Sequence, residues 1–250
     1  MRTYSLAAEL CAEFLGTFVL ILLGCGVVAS VVLFDDKGGF TNINLAWGLA
    51  VTFGIYTAGK ISGAHLNPAV TVALAVLRGF SWAKVLPYIG VQTLASFSAA
   101  ALVFANYRPA FLKVDPMLEK TAGVFTTFPA FPESLWSGFL DQTIGTAILL
   151  MLIFALSDER NQPPANLTPI LVGLVVVAIG MCFGTMHGYA INPARDFGPR
   201  LFSVAAGFRN NGLTDGSAVF WVPIAGPLLG GVLGGWIYDR LIGRWLGDQS

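Results

Sequence analysis

The sequence contains little charge, little histidine and little cysteine for its length. Only 11% of its 250 residues are charged, against about 25% in an ordinary soluble domain. Its two histidines and three cysteines form no metal-like spacing, no disulfide framework and no nucleophile–base pair. Lys and Arg balance Asp and Glu at 14 each, and no basic tract suggests nucleic acid. We therefore expect no metal, no cofactor, no nucleic-acid partner and no catalytic site, so an enzyme is disfavoured.

Long apolar runs dominate what is present. Hydrophobic residues make up 55% of the chain and the mean hydropathy is +0.71. Six runs are long enough to cross a bilayer as helices, and only the sixth contains a charge, Asp141: 15–34, 40–59, 85–107, 167–183, 216–238 and 134–156. Because these runs are continuous rather than alternating, the pattern favours helices over strands. The sequence predicts an all-α membrane protein with six transmembrane helices.

The chain repeats its own plan. Glu13 in the first span precedes the tripeptide Asn67-Pro68-Ala69 by 54 residues, and Gln142 precedes Asn192-Pro193-Ala194 by 50. With three spans in each half, the second copy must enter the membrane from the opposite side, which gives an inverted repeat. We expect a single channel domain over 1–250, with repeat one at about 1–105, a linking loop at about 106–133 and repeat two at about 134–250.

Each tripeptide is a helix-start signal, because Asn caps helices and Pro is favoured at the next position. The apolar stretches that follow, 70–77 and 197–206, are too short to cross a bilayer. They predict two half-helices that meet near the midplane. Their positive dipole ends would repel cations, and the amide groups of Asn67 and Asn192 would donate to the oxygen of a passing water or hydroxyl.

The backbone before each cap must be irregular, which is tolerated only where it lines a wet cavity. These segments offer carbonyl acceptors along the predicted pore: Gly63, Ala64, His65 and Leu66 in the first, and His187, Gly188, Tyr189 and Ala190 in the second. Glu13 and Gln142 are expected to brace them, with ordinary helix–helix bonding as the alternative. Arg195 lies at membrane depth, so it is a functional candidate unless its side chain extends to the surface.

The segments 62–71 (SGAHLNPAVT) and 192–200 (NPARDFGPR) resemble the aquaporin superfamily, the major intrinsic proteins, and within it the glycerol facilitators or aquaglyceroporins. The resemblance runs over nearly the whole chain. It implies an aquaporin-like fold of six spans plus two half-helices, one pore per subunit and usually a tetramer.

Carried over by position, the resemblance assigns a selectivity filter and a set of glycerol-type markers. The filter is Trp47, Gly180, Tyr189 and Arg195, and the markers are Tyr107, Asp196, Arg200, Pro223 and Ile224. Water-selective relatives tend to have His where Gly180 stands, so Gly leaves room for a carbon backbone. Tyr189 stands where the best-known glycerol channels have Phe, and Gln142 replaces the usual Glu.

His187 lies near the predicted filter and allows two interpretations. It is either neutral and hydrogen-bonded, or it becomes protonated near pH 6 and changes conductance.

The sequence and the resemblance together predict a passive channel in the lipid bilayer for glycerol, water and other small neutral solutes, which excludes protons and ions. A water-selective pore, or one for urea, ammonia or metalloid acids, is the main alternative, and a secondary transporter using Glu13 is a weaker one. We expect a homotetramer in the plasma (cell inner) membrane with cytoplasmic termini, although basic residues divide evenly between the two sides.

Overall fold

The structure, a computed structural model, describes residues 4–164 and 166–247, and this part of the chain forms eight α-helices and no strand. Six helices are long: α1 (Leu6–Leu33), α2 (Phe40–Ser62), α4 (Trp82–Val114), α5 (Leu135–Ser157), α6 (Thr168–His187) and α8 (Val222–Leu241). Two are short: α3 (Pro68–Leu77) and α7 (Pro193–Ala205). The predicted fold class, six spans and two half-helices, is confirmed; the predicted repeat ends at 1–3 and 248–250 lie outside the described residues.

Five of the described long helices have the length and composition to cross a membrane, and α2 is not among them. At 23 residues α2 is long enough, but it carries Asn42, Asn44, Thr52 and Lys60, which lower its hydropathy. Asn44 and Thr52 are buried in the protein rather than turned outward. Part of the polarity of α2 therefore belongs to the interior of the bundle, while Asn42 and Lys60 are exposed near its two ends.

The helix contacts follow the predicted inverted repeat. Helix α1 packs on α2 and α4, and its counterpart α5 packs on α6 and α8. Each half-helix packs mainly on a long helix of the opposite half: α3 packs on α8, and α7 packs on α4. Helices α2 and α6 pack on each other. Each half-helix is thus enclosed partly by the opposite half, and neither half would be complete alone.

Helix α4 extends past its predicted end. The linking loop was expected from about residue 106, but α4 continues to Val114 and the connection begins at Asp115. The added turns are held by Phe111, which is fully buried and packs its ring 5.1 Å from Phe104 and 5.6 Å from Phe125. Aromatic packing on the connection, rather than lipid, explains the extension.

The connection between the halves is anchored at its start by Asp115. The carboxylate accepts hydrogen bonds from the backbone N–H groups of Glu119, Lys120 and Thr121, at 3.0, 2.7 and 2.9 Å. Burial alone would raise the pKa of Asp115, but these hydrogen bonds hold it below its ordinary value. The segment that follows is folded back onto the helices, where Phe125 is fully buried.

Glycines on α8 form two rows that face different helices. A Cβ added at Gly226 or Gly230 would meet Gln142 or Thr143 of α5, at 2.8 and 3.0 Å. A Cβ at Gly231 would lie 3.1 Å from the carbonyl oxygen of Ala69 in α3. Small residues allow helix backbones to approach closely where lipid supplies no hydrophobic drive. Close packing is therefore the role of these glycines.

We predict that Gly230→Ala will destabilise the protein by about 1–3 kcal/mol, because its methyl group has no space against the Thr143 backbone. The thermal unfolding midpoint in detergent measures this. The matched control is Gly90→Ala in α4, whose Cβ would meet nothing within 4 Å, so it should keep or raise the midpoint. Equal midpoints for the two variants would contradict the packing argument.

Candidate functional site

The two capping asparagines meet inside the bundle and hydrogen-bond to each other's loop. The amide nitrogen of Asn67 donates to the carbonyl oxygen of Ile191 at 2.9 Å, and that of Asn192 donates to the carbonyl oxygen of Leu66 at 2.8 Å. The bonds join residues 124 and 126 positions apart. They tie the two half-helices together at the centre of the molecule.

Each asparagine also caps its own half-helix. The side-chain oxygen of Asn67 accepts from the N–H of Ala69 at 2.8 Å, and that of Asn192 accepts from Ala194 and Arg195 at 3.0 and 3.1 Å. An amide NH₂ has two hydrogens, and the cross bond uses one of them. The other remains available for a solute, at a point where two helix N-termini supply positive potential.

The segments before the caps share an irregular backbone. Positive φ angles occur at three matching positions in each: Gly63, Ala64 and Leu66 at 88°, 51° and 53°, and Gly188, Tyr189 and Ile191 at 65°, 34° and 43°. Residues other than glycine are strained in this region, and such strain persists only where surrounding contacts impose it. The same strained pattern in both halves indicates that the course of this backbone matters to the site.

Glu13 holds the backbone of the first irregular segment in place. Its carboxylate accepts from the N–H groups of His65 and Leu66, at 2.8 and 2.7 Å, and from the side chains of Ser62 and Gln92, at 2.6 and 2.8 Å. The residue is fully buried. Four donors satisfy both carboxylate oxygens, which is what a buried charge requires.

Gln142 holds the backbone of the second irregular segment in place, but with a different set of hydrogen bonds. Its side-chain oxygen accepts from the N–H of Ile191 at 2.8 Å, while its NH₂ group donates to the carbonyl oxygen of His187 at 3.0 Å. An amide serves a donor and an acceptor at once, and a carboxylate accepts only. The structure thus explains why glutamine suits this position, where the resemblance led us to expect glutamate.

One cavity of about 250 Å³ contains both asparagines. Its wall includes the following site residues predicted from sequence: Trp47, Gly63, Ala64, His65, Leu66, Asn67, Tyr189, Ala190, Asn192 and Arg195. It extends to Ser157 and Thr168, where α5 ends and α6 begins. The wall does not include His187, Gly188 or Gly180, and the carbonyl of His187 is engaged by Gln142.

Arg195 lines the cavity together with Trp47 and Tyr189, two further residues of the predicted filter. Its guanidinium carbon lies 4.3 Å from the centre of the Trp47 ring, and its Nη1 donates to the carbonyl oxygen of Phe125 at 3.1 Å. Arg195 is 8% exposed, so it does not extend to the surface. The ring of Trp47 fits because Gly24 of α1 has no side chain there.

Gly180 and Tyr189, both predicted filter residues, contact each other. A Cβ at Gly180 would lie 2.8 Å from the ring carbon of Tyr189 that bears the hydroxyl, and would overlap the side-chain oxygen of Asn44. The phenol ring therefore occupies the volume that glycine leaves. The hydroxyl itself is buried, so the cavity meets the ring of Tyr189 rather than its polar end.

A buried ion pair connects the second half-helix to the linking segment. Asp196 and Arg200 are both fully buried, with Nε of Arg200 donating to Asp196 at 2.8 Å. Asp196 also accepts from the N–H and hydroxyl of Thr127, at 2.7 and 2.8 Å. Arg200 donates to the carbonyl oxygens of Thr127 and Asn211, each at 2.7 Å. The pair fixes the segment that carries Phe125.

Phe125, Thr127 and Asn211 were not among the residues predicted from sequence. Each accepts a hydrogen bond from Arg195 or Arg200 through its backbone carbonyl oxygen, and the hydroxyl of Thr127 also donates to Asp196. No motif encodes such contacts. The remaining markers stay apart from the cavity. The ring of Tyr107 lies edge-on to Phe34 at 6.3 Å, Pro223 is buried in the first turn of α8, and Ile224 is adjacent to it.

His187 and the three cysteines are the remaining side chains that the sequence analysis weighed for titration, metal binding or disulfide formation. His187 is fully buried, with Nδ1 3.4 Å from the hydroxyl of Thr127. Cys25 is buried, while Cys11 and Cys182 are exposed. Among the described residues, no group of three or more His, Cys, Asp or Glu side chains could hold a metal ion.

This arrangement is that of an integral membrane protein with a pore between two opposed half-helices. The chain belongs to the major intrinsic protein family, whose model matches residues 1–238. It is 43% identical over 246 residues to human Aquaporin-9, covering 95% of this chain and 83% of that protein. It is 41% identical to the Glycerol uptake facilitator protein of Haemophilus influenzae, covering 96% and 95%. The X-ray structure of the aquaglyceroporin from Plasmodium falciparum matches with a TM-score of 0.89 at 34% identity, covering 97% and 99%.

We predict that Gln142→Glu will destabilise the protein by about 1–3 kcal/mol, because it removes the donor to the buried carbonyl of His187 and places a carboxylate oxygen against it. The unfolding midpoint of the purified protein measures the change. Gln162→Glu, the same substitution at an exposed position, is the control and should leave the midpoint unaltered. A Gln142→Glu protein as stable as wild type would disprove the donor–acceptor assignment.

Proposed function

We propose that the protein is a passive channel that conducts glycerol and other small uncharged solutes together with water, and excludes protons and ions. One observation carries the proposal: the two amide groups tipping opposed helix N-termini line the same cavity, with Arg195 also in its wall. Donors at the centre, carbonyl acceptors along the wall and an aromatic surface suit a polyol. Nothing in this arrangement requires a chemical step.

A solute crosses the pore by forming weak hydrogen bonds with one group after another. A hydroxyl at the filter accepts from Arg195 while the carbon backbone contacts the rings of Trp47 and Tyr189. Carbonyl oxygens of the irregular segments then accept from the solute, and Asn67 and Asn192 donate to it. Multiple moderate contacts allow both entry and exit. Because both central amides only donate to the passing oxygen, a water there is oriented in one way, which interrupts proton relay.

Exclusion of cations has a separate cause. The N-termini of α3 and α7 meet at the centre, and each contributes the positive end of a helix dipole. Arg195 adds a full positive charge to the same cavity wall. A cation would have to shed its water beside these charges, and a neutral solute has no such barrier.

Three features favour glycerol over water alone. Gly180 leaves the volume that the ring of Tyr189 occupies and that a larger side chain would take from it. Asp196 follows the filter arginine, and relatives named as a glycerol facilitator and an aquaglyceroporin are 41% and 34% identical to the chain. Urea, ammonia and metalloid acids fit the same geometry and remain the second candidates.

A coupled transporter is disfavoured by the surroundings of Glu13. Coupling needs an acid that meets the solute pathway, but Glu13 is fully buried, accepts four hydrogen bonds and is not part of the cavity wall. Its role as a brace uses both of its oxygens.

We further propose a homotetramer in the plasma membrane with cytoplasmic termini. The tetramer is supported by the family resemblance. The orientation is supported by Arg195 and Arg200, which are buried and so do not count as loop charges. When these two arginines are left out, the even division becomes an excess of basic residues on the side of the termini. The positive-inside rule expects such an excess on the cytoplasmic face.

Stopped-flow light scattering on liposomes that contain the purified protein tests the function. Glycerol and water should permeate well above protein-free liposomes, sucrose should not, and glycerol flux should rise linearly with its gradient at any proton gradient. Saturating or proton-driven flux would indicate a transporter, and water flux without glycerol flux a water-selective pore.

We predict that Gly180→His will suppress glycerol flux while water flux is largely retained, because the imidazole must displace Tyr189 and narrow the filter. The same liposome assay measures both rates. Met181→His, the next residue on α6 and 46% exposed on the outside, is the control and should conduct both solutes. Loss of water and glycerol flux in equal proportion would refute the filter assignment.

A further inference from the structure

Two buried polar side chains behind the filter have no partner within the described protein. Asn44 of α2 is fully buried, and neither its amide nitrogen nor its amide oxygen has a hydrogen bond. The hydroxyl of Tyr189 is buried and unpartnered as well. Buried polar groups in folded proteins nearly always find a protein or water partner, so three such atoms in one place require an explanation.

Gly180 brings these groups together. Its missing Cβ would overlap the side-chain oxygen of Asn44 and would lie 2.8 Å from the ring carbon that carries the Tyr189 hydroxyl. Asn44 comes from α2, Gly180 from α6 and Tyr189 from the irregular segment, so three separate parts of the chain meet at the position of the missing Gly180 Cβ. Asn44 and Gly180 are not part of the wall of the conducting cavity, whereas Tyr189 is.

The amide of Asn44 and the hydroxyl of Tyr189 together suit one water molecule. Buried waters typically make about three hydrogen bonds to otherwise unsatisfied groups. Here the amide nitrogen of Asn44 donates, its oxygen accepts, and the hydroxyl of Tyr189 does either. A single water would satisfy all three.

We propose that Asn44 is a positioning residue for the filter, which binds the hydroxyl of Tyr189 through one buried water and so keeps that hydroxyl out of the pore. This inference rests on the proposed solute channel. It accounts for the tyrosine at this position without a more polar filter, because the cavity meets only the ring. Without the Asn44 amide the hydroxyl would be left without a partner, and the Tyr189 side chain would turn toward the wet cavity to hydrate it, which narrows the path of a carbon backbone.

The test compares Asn44→Leu in wild-type and in Tyr189→Phe protein, by glycerol and water permeability in liposomes. Leucine keeps the branched shape of asparagine and removes its polar atoms. In wild type, the ratio of glycerol to water permeability should fall about fivefold, the scale expected when one buried hydrogen-bonding group is left unpaired. In Tyr189→Phe protein the same substitution should leave the ratio unchanged, since no hydroxyl remains to turn.

Asn42→Leu, an exposed position on the same helix, is the control and should keep the wild-type ratio. Equal falls of the ratio in both backgrounds, or glycerol and water rates that drop together, would overturn the positioning role. If wild-type liposomes conduct no glycerol at all, the proposed function fails instead. A density map that resolves ordered waters gives an independent check: a water bonded to Asn44 and to the Tyr189 hydroxyl is expected, and its absence would refute the site even if Asn44→Leu fails to fold.

Discussion

The reciprocal hydrogen bonds between each capping asparagine and the opposite loop are the constraint on which the site depends. Each amide does three things at once: its oxygen caps a half-helix, one hydrogen holds the facing carbonyl, and the other hydrogen is left for a solute. No other neutral side chain of this length offers two donors and an acceptor. An aspartate would lose the cross bond and add charge, and a serine has only one donor.

The hydrogen bonds between the two halves can form only because other groups hold the strained segments before the caps in place. Leu66 and Ile191 supply the carbonyls that the asparagines bind, and both have positive φ angles. Glu13 and Gln142 bind the N–H groups of these same two residues. The braces differ because their surroundings differ: Glu13 meets only donors, while Gln142 stands between a donor and an acceptor. The two halves are thus related by geometry without being identical in chemistry.

The elements that repeat local signals could be predicted from the sequence, and those that depend on distant contacts could not. The apolar runs indicated the six spans, and Asn-Pro indicated the first residues of both half-helices. The end of α4 could not be predicted, because Phe111 is buried by Phe125, which lies beyond the helix. The same limit applies to Gln142, whose partner is a carbonyl 45 residues away, and to Phe125 and Thr127, which act through a loop that carries no motif.

The surroundings of the proposed filter therefore come from segments with very different sequence signals. Arg195 is recognisable from its motif, but its direction is set by the carbonyl of Phe125 and the ring of Trp47. The carbonyl in turn depends on the pair of Asp196 and Arg200, which holds Thr127 two residues further on. Because Arg195 and Asp196 are consecutive, one half-helix turn both presents the filter charge and anchors the loop that aims it. If the proposed filter sets selectivity, a change in the linking segment will alter what it admits without touching any residue of the paired motifs.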